Sequence, residues 1–239
     1  MLSICYNTHV PECKQSKGKY MKGIFNMKCT VFEALLVAVG FCLPAACEEI
    51  NLPSPGRDSG VTVMQALKAR HSDREFSESE IPMETLSGLL WAANGFNRPD
   101  KRTNATGMNK QTISIYVIMK SGAYRYDAKA NVLVKVCDDD LRAAVAGRQP
   151  FAAKAPVSLL ITADLSDPVY KSPRDTLTHY DAGIVSGNIY LYCAANGLAT
   201  VCRGTMDRDA LKKALNLGDN IVLHLNHPVG LPVGAGKID

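Results

Sequence analysis

No stretch of this 239-residue chain is apolar for long enough to cross a bilayer. The apolar run at residues 31–43 is about 13 residues long, and a transmembrane helix needs roughly 20. A cysteine framework is missing too. Five of the eight cysteines stand at or before position 47, and Cys137, Cys193 and Cys202 follow at wide, irregular spacing. That pattern makes neither a disulfide scaffold nor a zinc site, and the three read as small buried apolar residues. Excess charge of one sign disappears once the N-terminal part is set aside. Residues 1–47 hold five of the basic and two of the acidic side chains, which leaves 22 basic against 21 acidic. Such a near-neutral domain offers no basic stripe, so nucleic acid is not an expected partner. Internal repeats and low-complexity tracts are absent, which argues against a repeat array or a disordered tail.

Several chemical signatures are also incomplete. "GAGKID" at 234–239 is glycine-rich but has no helix after it, which removes a Rossmann or P-loop reading. His224 and His227 have no third ligand in view, so no metal is expected. "THYDAG" at 178–183 has His179 and Asp181 without a nucleophile elbow. "DDDL" at 138–141 lacks the ligand spacing of a calcium loop. "NAT" at 104–106 is a glycosylation sequon that matters only in a eukaryotic secretory route.

What is present begins with a targeting pattern. "MKGIFNMKCTVFEALLVAVGFCLPAACEE" sets lysines ahead of the apolar run and small residues after it, the order of an export signal rather than of a buried helix. Residues 1–47 are expected to be a signal segment, and the part before Met21 an upstream extension from a misjudged start codon. Its end leaves two fates open: release into the periplasm, or lipidation of Cys47 in "LPAAC" and a membrane tether. A Pro/Gly/Ser linker is expected over 48–60 and one folded domain over 61–239; the whole chain's 46% hydrophobic and 21% charged composition is globular.

Within the domain, Thr62 and Gln65 form a capping box, and Val63, Met64 and Leu67 give an apolar face to a helix reaching Arg70. Pro82 opens a second helix carrying Leu86, Leu89, Leu90 and Ala93, and Asn94-Gly95 ends it. "TISIYVIMK" alternates as a strand, "SGAYRYDAKANVLVKV" continues as a meander, and "APVSLLITAD" reads as a buried strand. "DDDLRAAVAG" predicts a short helix with an aspartate N-cap. A long helix runs from about Thr178 to Ala195, with the small residues Ala182, Gly183, Ser186 and Gly187 suited to close packing. "DRDALKKALNLG" is a capped helix stopped by Gly218, and "NIVLHLNHPVGLP" is a last strand. Helices interspersed with hairpins give an α+β class rather than a doubly wound parallel sheet.

"RHSDREF" at 70–76 concentrates hydrogen-bonding cations. Arg70 and Arg74 at i and i+4 share one side of a helical turn, with His71 and Ser72 adding donors, a fork suited to a phosphate. The alternative is a solvated helix end on which Asp73, Glu75 and Glu78 neutralise the arginines.

"ALKARHSDREF" resembles the first-helix signature of the nitroreductase family of FMN-dependent oxidoreductases, an Arg-(Arg/His)-Ser-x-(Arg/Lys)-x-Phe pattern that grips the FMN phosphate and ribityl chain. "TNATGMNKQTISIYVI" resembles the family's Pro-Ser-x-x-Asn-x-Gln loop and strand, with Thr106, Asn109 and Gln111 at matching positions. "YDAGIVSGNIYLYCAANGLATVCRG" is similar to its long helix and the turn against flavin N5, and "HPVGLP" to its terminal strand. The resemblance covers roughly 60–235. It implies a three-layer α/β/α sandwich with a mostly antiparallel sheet, and a homodimer with FMN in a cleft between subunits. Turnover would be ping-pong, from a reductant such as NAD(P)H to a small electron-poor acceptor such as a nitroaromatic or quinone. Arg70, His71, Ser72 and Arg74 are the implied phosphate and ribityl ligands, Asn109 the reader of the pyrimidine edge, and the Gly204 N–H the donor to N5. Arg203 and Lys237 are candidates for a positive charge near the reduced ring. Departures are Ala105 for the usual proline, Lys110 for the frequent aromatic, Arg203 before the glycine, and a C-terminus with only Lys237 as a base. These leave open a dehydrogenase or dehalogenase on the same fold, or a flavin-binding protein without turnover.

Overall fold

The computed structural model describes residues 48–170 and 174–234. The expected signal segment, Cys47 and Lys237 lie outside the described residues. None of the described helices is long and apolar enough to cross a membrane.

The centre is a seven-stranded sheet in the order β1-β6-β5-β4-β7-β9-β8, every neighbouring pair antiparallel. Its strands are β1 (Glu49–Asn51), β4 (Ile113–Met119), β5 (Gly122–Asp127), β6 (Val132–Cys137), β7 (Val157–Asp164), β8 (Ala199–Thr200) and β9 (Ile221–Gly230). A separate two-stranded hairpin joins β2 (Phe96–Arg98) to β3 (Lys101–Arg102), inside a stretch that the sequence presents only as a polar loop. The sheet starts inside the expected linker. Glu49, Ile50 and Asn51 pair with Val134, Leu133 and Val132, and Leu52 is buried in the core. Ser87 Oγ and Asn131 Nδ2 then hold the Pro53 carbonyl.

Helices cover both faces. On one side α2 (Met83–Asn94) and α4 (Leu177–Ala195) bury Leu86, Leu89, Leu90, Val185 and Ile189 against Ile113, Ile115, Val117, Leu159 and Ile161. On the other, α3 (Arg142–Ala146) and α5 (Arg208–Ala214) enclose Val145 and Leu211 with Tyr116, Ile118, Leu160 and Leu223. Three layers result. This is why β4 is apolar on both faces although its sequence looks like simple alternation. Burying each of these Leu or Ile side chains contributes about 1.5–3 kcal/mol.

Local signals set most helix ends. In α1 (Val63–Ala69), Thr62 Oγ1 accepts from Gln65 N while Gln65 Oε1 accepts from Thr62 N, the expected capping box. The helix face was misread, because Val63, Met64 and Leu67 are 66%, 73% and 50% exposed and only Ala66 is buried. Helix α3 is capped at Leu141 with no side-chain bond, since Asp140 instead grips the Arg142 N–H and guanidinium. Helix α5 has Asp207 as its N-cap and ends before Gly218. There Asn216 takes the left-handed conformation, with φ +50°, that the turn requires.

Candidate functional site

The cationic stretch is not a helical fork. Arg70 leaves helical geometry at ψ 122°, and residues 71–76 run on outside any helix. Two backbone bonds pin this run to the sheet edge, Asp73 N–H to Thr200 O (2.9 Å) and Ser77 N–H to Leu231 O (2.8 Å). The closing phenylalanine is the anchor: Phe76 is buried among Ala155, Ala199 and Val201. Burial of that ring fixes where the polar groups before it stand.

Tyr190 on α4 organises those groups. Its hydroxyl lies 2.8 Å from Ser72 Oγ and accepts the Cys202 N–H at 2.8 Å, and the Arg70 guanidinium lies over its ring at 5.2 Å. Ser72, Arg70 and the 200–204 turn therefore meet around one phenol. Arg74 is exposed and has no hydrogen bond or ion pair among the described residues. His71 is engaged at both nitrogens, Nδ1 with Ala69 O and Nε2 with Asp73.

Thr106, Asn109 and Gln111 form a second group. Thr106 Oγ1 accepts from Gln111 N, and Asn109 Oδ1 accepts from Gln111 Nε2. Arg102, lying over the Phe96 ring, donates to Gln111 Oε1. Met108, Asn109 and Gln111 all adopt positive φ, at +52°, +55° and +55°. Three such non-glycine residues in one loop mark backbone strain of the kind concentrated at ligand sites. The loop is held by Asp181, which accepts the Gly107 N–H and whose carboxyl is raised by burial, opposed by that bond. Asn104 is 3% exposed with neither amide atom partnered, so the sequon is shielded from glycosylation in the fold.

The two groups are apart within one chain. Asp181, which holds the loop, and Tyr190, which holds the cationic segment, are nine residues apart on α4, about 14 Å along its axis. Tyr190 carries no mark in the sequence, and Asp181 stands there only in the rejected "THYDAG" triad pattern. Ser72 and Tyr190 are 118 positions apart, and no local pattern links them.

Arg203 is committed elsewhere. Its side chain is buried and donates to Gln149 Oε1, Val145 O, Ala146 O and Asn226 Oδ1, at the C-terminal end of α3. Its backbone N–H goes to Asn226 O. Its donors serve carbonyl and amide oxygens at a helix terminus, so its charge would reach a ring only through space and not by a direct hydrogen bond. Gly204 is different: it is exposed, a Cβ there would meet nothing within 4 Å, and its N–H has no acceptor among the described residues.

Two buried histidines brace the frame. Thr200 Oγ1 donates to Pro228 O, so His227 Nδ1–H must donate to Thr200 and Nε2 must accept from Ser186 Oγ. By the same reasoning Thr178 donates to Asp175 O and accepts from His224 Nε2–H. Burial holds His227 down at about 3 and His224 at about 4, the latter helped by His179 and Arg208. Unfolded histidines titrate near 6.5, so below that pH the unfolded chain binds protons that the folded chain refuses. Stability is complete above pH 6.5 and falls as pH drops toward 4. At pH 5.5 the two histidines together cost about 3 kcal/mol relative to pH 7.5. Thermal melts at the two pH values check this, and a level melting temperature would contradict the assignment.

Comparison with known proteins places the fold. Residues 67–231 match the profile described as Nitroreductase family. A Methanocaldococcus jannaschii protein named as a nitroreductase is 28% identical over 195 residues, covering 76% of this chain and 96% of that one. A nitroreductase-titled crystal structure from Ralstonia eutropha is 35% identical, covers 78% of this chain and 90% of its own, and superposes with a TM-score of 0.72. A Clostridium novyi nitroreductase family structure shares the fold at 18% identity and a TM-score of 0.55. The α+β sandwich, its antiparallel sheet and these matches together establish that the chain belongs to the nitroreductase family of oxidoreductases.

Proposed function

We propose that this protein is an FMN-dependent oxidoreductase working as a homodimer by a ping-pong cycle, from a reductant such as NAD(P)H to a small electron-poor acceptor. The observation that carries this reading is the meeting of Arg70, Ser72 and the 200–204 turn around Tyr190. It leaves cationic and N–H donors unspent on one edge of the sheet. Arg70 and Arg74 would hold the phosphate and Ser72 the ribityl chain, while the open Gly204 N–H is available to ring N5. When bound, FMN supplies the electron-transfer chemistry. The chain's own task is to orient the ring, neutralise the phosphate and leave one face accessible, without a dedicated acid or base. An absorbance spectrum of the purified protein, mass analysis of the released chromophore and turnover with NADH or NADPH test it. Colourless protein that cannot be loaded with FMN overturns the reading.

The dimer has its own support. Tyr180, Gly183, Ile184 and Gly187 are exposed at i, i+3, i+4 and i+7 on α4, and the exposed Val63, Met64 and Leu67 lie on α1, which packs against α4. Ala182 and Ser186 are buried within the chain, whereas Cβ atoms at Gly183 and Gly187 would meet nothing within 4 Å. A helix stripe that is small and apolar yet uncovered fits a second copy of the same face. Such a pairing would also bring the 106–111 loop of one subunit toward the cationic segment of the other, which the 14 Å offset within one chain denies. Ile184→Lys is expected to shift the protein to monomer in sedimentation and to abolish FMN retention while leaving secondary structure intact. A dimer that persists would refute the assignment of this face. Export by residues 1–47 belongs to the same proposal and predicts an N-terminus beyond position 40 on protein recovered from the cell envelope.

A further inference from the structure

A cavity lies between the first turn of α4 and an irregularity in β9, and its Arg208 adjoins Gly204. Along the β7–β9 ladder, Ile161 pairs with Leu225 and Thr162 with Leu223, so His224 is an extra residue opposite the partner strand. Bulges of this kind re-aim a side chain. Here the displaced imidazole reaches Thr178 and lies 4.4 Å from the His179 ring, edge to face. The cavity is about 380 Å³ and is lined by His179, His224 and Arg208, with Ala182, Val222 and Leu225 as apolar wall.

Its charge is one-sided. No Asp or Glu is among the lining residues, and neither Arg208 nor His179 has an ion-pair partner among the described residues. Arg208 spends one N–H on Gly204 O, at 3.1 Å, and the rest of its fork has no partner among the described residues. His224 uses Nε2–H on Thr178, and its Nδ1 has no partner there. The groups that face His224 are His179 from α4 and Arg208 from α5; burial first, and then these two, hold its proton affinity down. Three bases around a cavity with an aliphatic wall lack one thing, a counter-charge attached to an apolar body.

We infer that this cavity is a binding site for a small organic carboxylate, held by Arg208 and His179 with its hydrocarbon part against Ala182, Val222 and Leu225. Guanidinium takes a carboxylate in paired hydrogen bonds, and the volume suits a body of a few carbons. The inference concerns this cavity alone and does not depend on flavin being bound.

Butyrate is the probe. Titrated into the purified full-length chain, it is expected to shift the His179 and His224 imidazole resonances saturably and to leave His227, enclosed by Ser186 and Thr200, unmoved. Arg208→Gln is expected to weaken binding about tenfold or more. Because Arg208 is exposed and makes a single bond to Gly204, this variant keeps its melting temperature. Inorganic phosphate, which cannot use the apolar wall, binds more weakly than butyrate. No saturable shift, an unaltered affinity in Arg208→Gln, equal binding of phosphate, or displacement of butyrate by FMN would each overturn the proposal. The last would assign the cavity to the flavin.

Discussion

Replacing both Arg70 and Arg74 with glutamine is expected to weaken FMN binding by about 10² to 10⁴, because each charge-assisted contact to phosphate contributes roughly 1.5–3 kcal/mol. Neither side chain supports the fold. Both are exposed; among the described residues the Arg70 side chain makes one ring contact, over Tyr190, and Arg74 makes no hydrogen bond or ion pair. The double variant should therefore melt at the wild-type temperature, so that any loss of pigment is a loss of binding. Riboflavin gives the sharper comparison. Lacking the phosphate, it should bind wild type and variant alike, and the preference for FMN over riboflavin should shrink toward unity in the variant. If the preference survives, the phosphate is held elsewhere and the assignment of the 70–76 segment is wrong. Raising the salt concentration should weaken FMN binding in the wild type more than in the variant, since exposed charges are screened.

What could be read from the sequence was whatever is fixed by neighbours in the chain. The Thr62–Gln65 box, the Asp207 cap and the β4–β5–β6 meander all depend on residues a few positions apart, and all are in the structure. Properties that depend on distant partners were misread. The apolar face of α1 is covered by nothing among the described residues, and periodicity cannot say whether a covering surface belongs to the same molecule. The i, i+4 spacing of Arg70 and Arg74 predicts one helical turn, but the helix ends at Ala69. The fact that ends it, Phe76 burying against Ala155 and Ala199, involves residues about 80 and 120 positions away. Residues 48–60 have linker composition, but Ile50 and Leu52 meet the sheet edge, and edge pairing needs a neighbour rather than a long strand. The candidate site shows the same division. The residue types of its ligands were legible, while the positioning roles of Tyr190 and Asp181 were not.

Arg203 carries a large expected stability effect. The resemblance makes it a candidate for charge near a ring, and the fold uses its side chain as a brace. It has no carboxylate partner among the described residues and is held by four uncharged acceptors, two of them the last carbonyls of α3. Burial lowers its proton affinity, but guanidinium remains charged at any accessible pH. Arg203→Met removes the donor fork and leaves the buried acceptors Val145 O, Ala146 O and Asn226 Oδ1 without their donor, while the exposed Gln149 can turn to solvent. The expected loss is about 3–5 kcal/mol, from several buried acceptors left unsatisfied at about 1–3 kcal/mol each, partly relieved by relaxation. For a domain of this size that lowers the melting temperature by roughly 6–20 °C. Arg203→Lys should recover less than half, since one ammonium cannot reach four acceptors arranged for a planar fork. Folded Arg203→Met protein at low temperature separates the two roles, because it removes the charge. If the side chain only braces α3, its bound FMN should keep the wild-type midpoint potential. A change in potential with little change in melting temperature would return Arg203 to the ring.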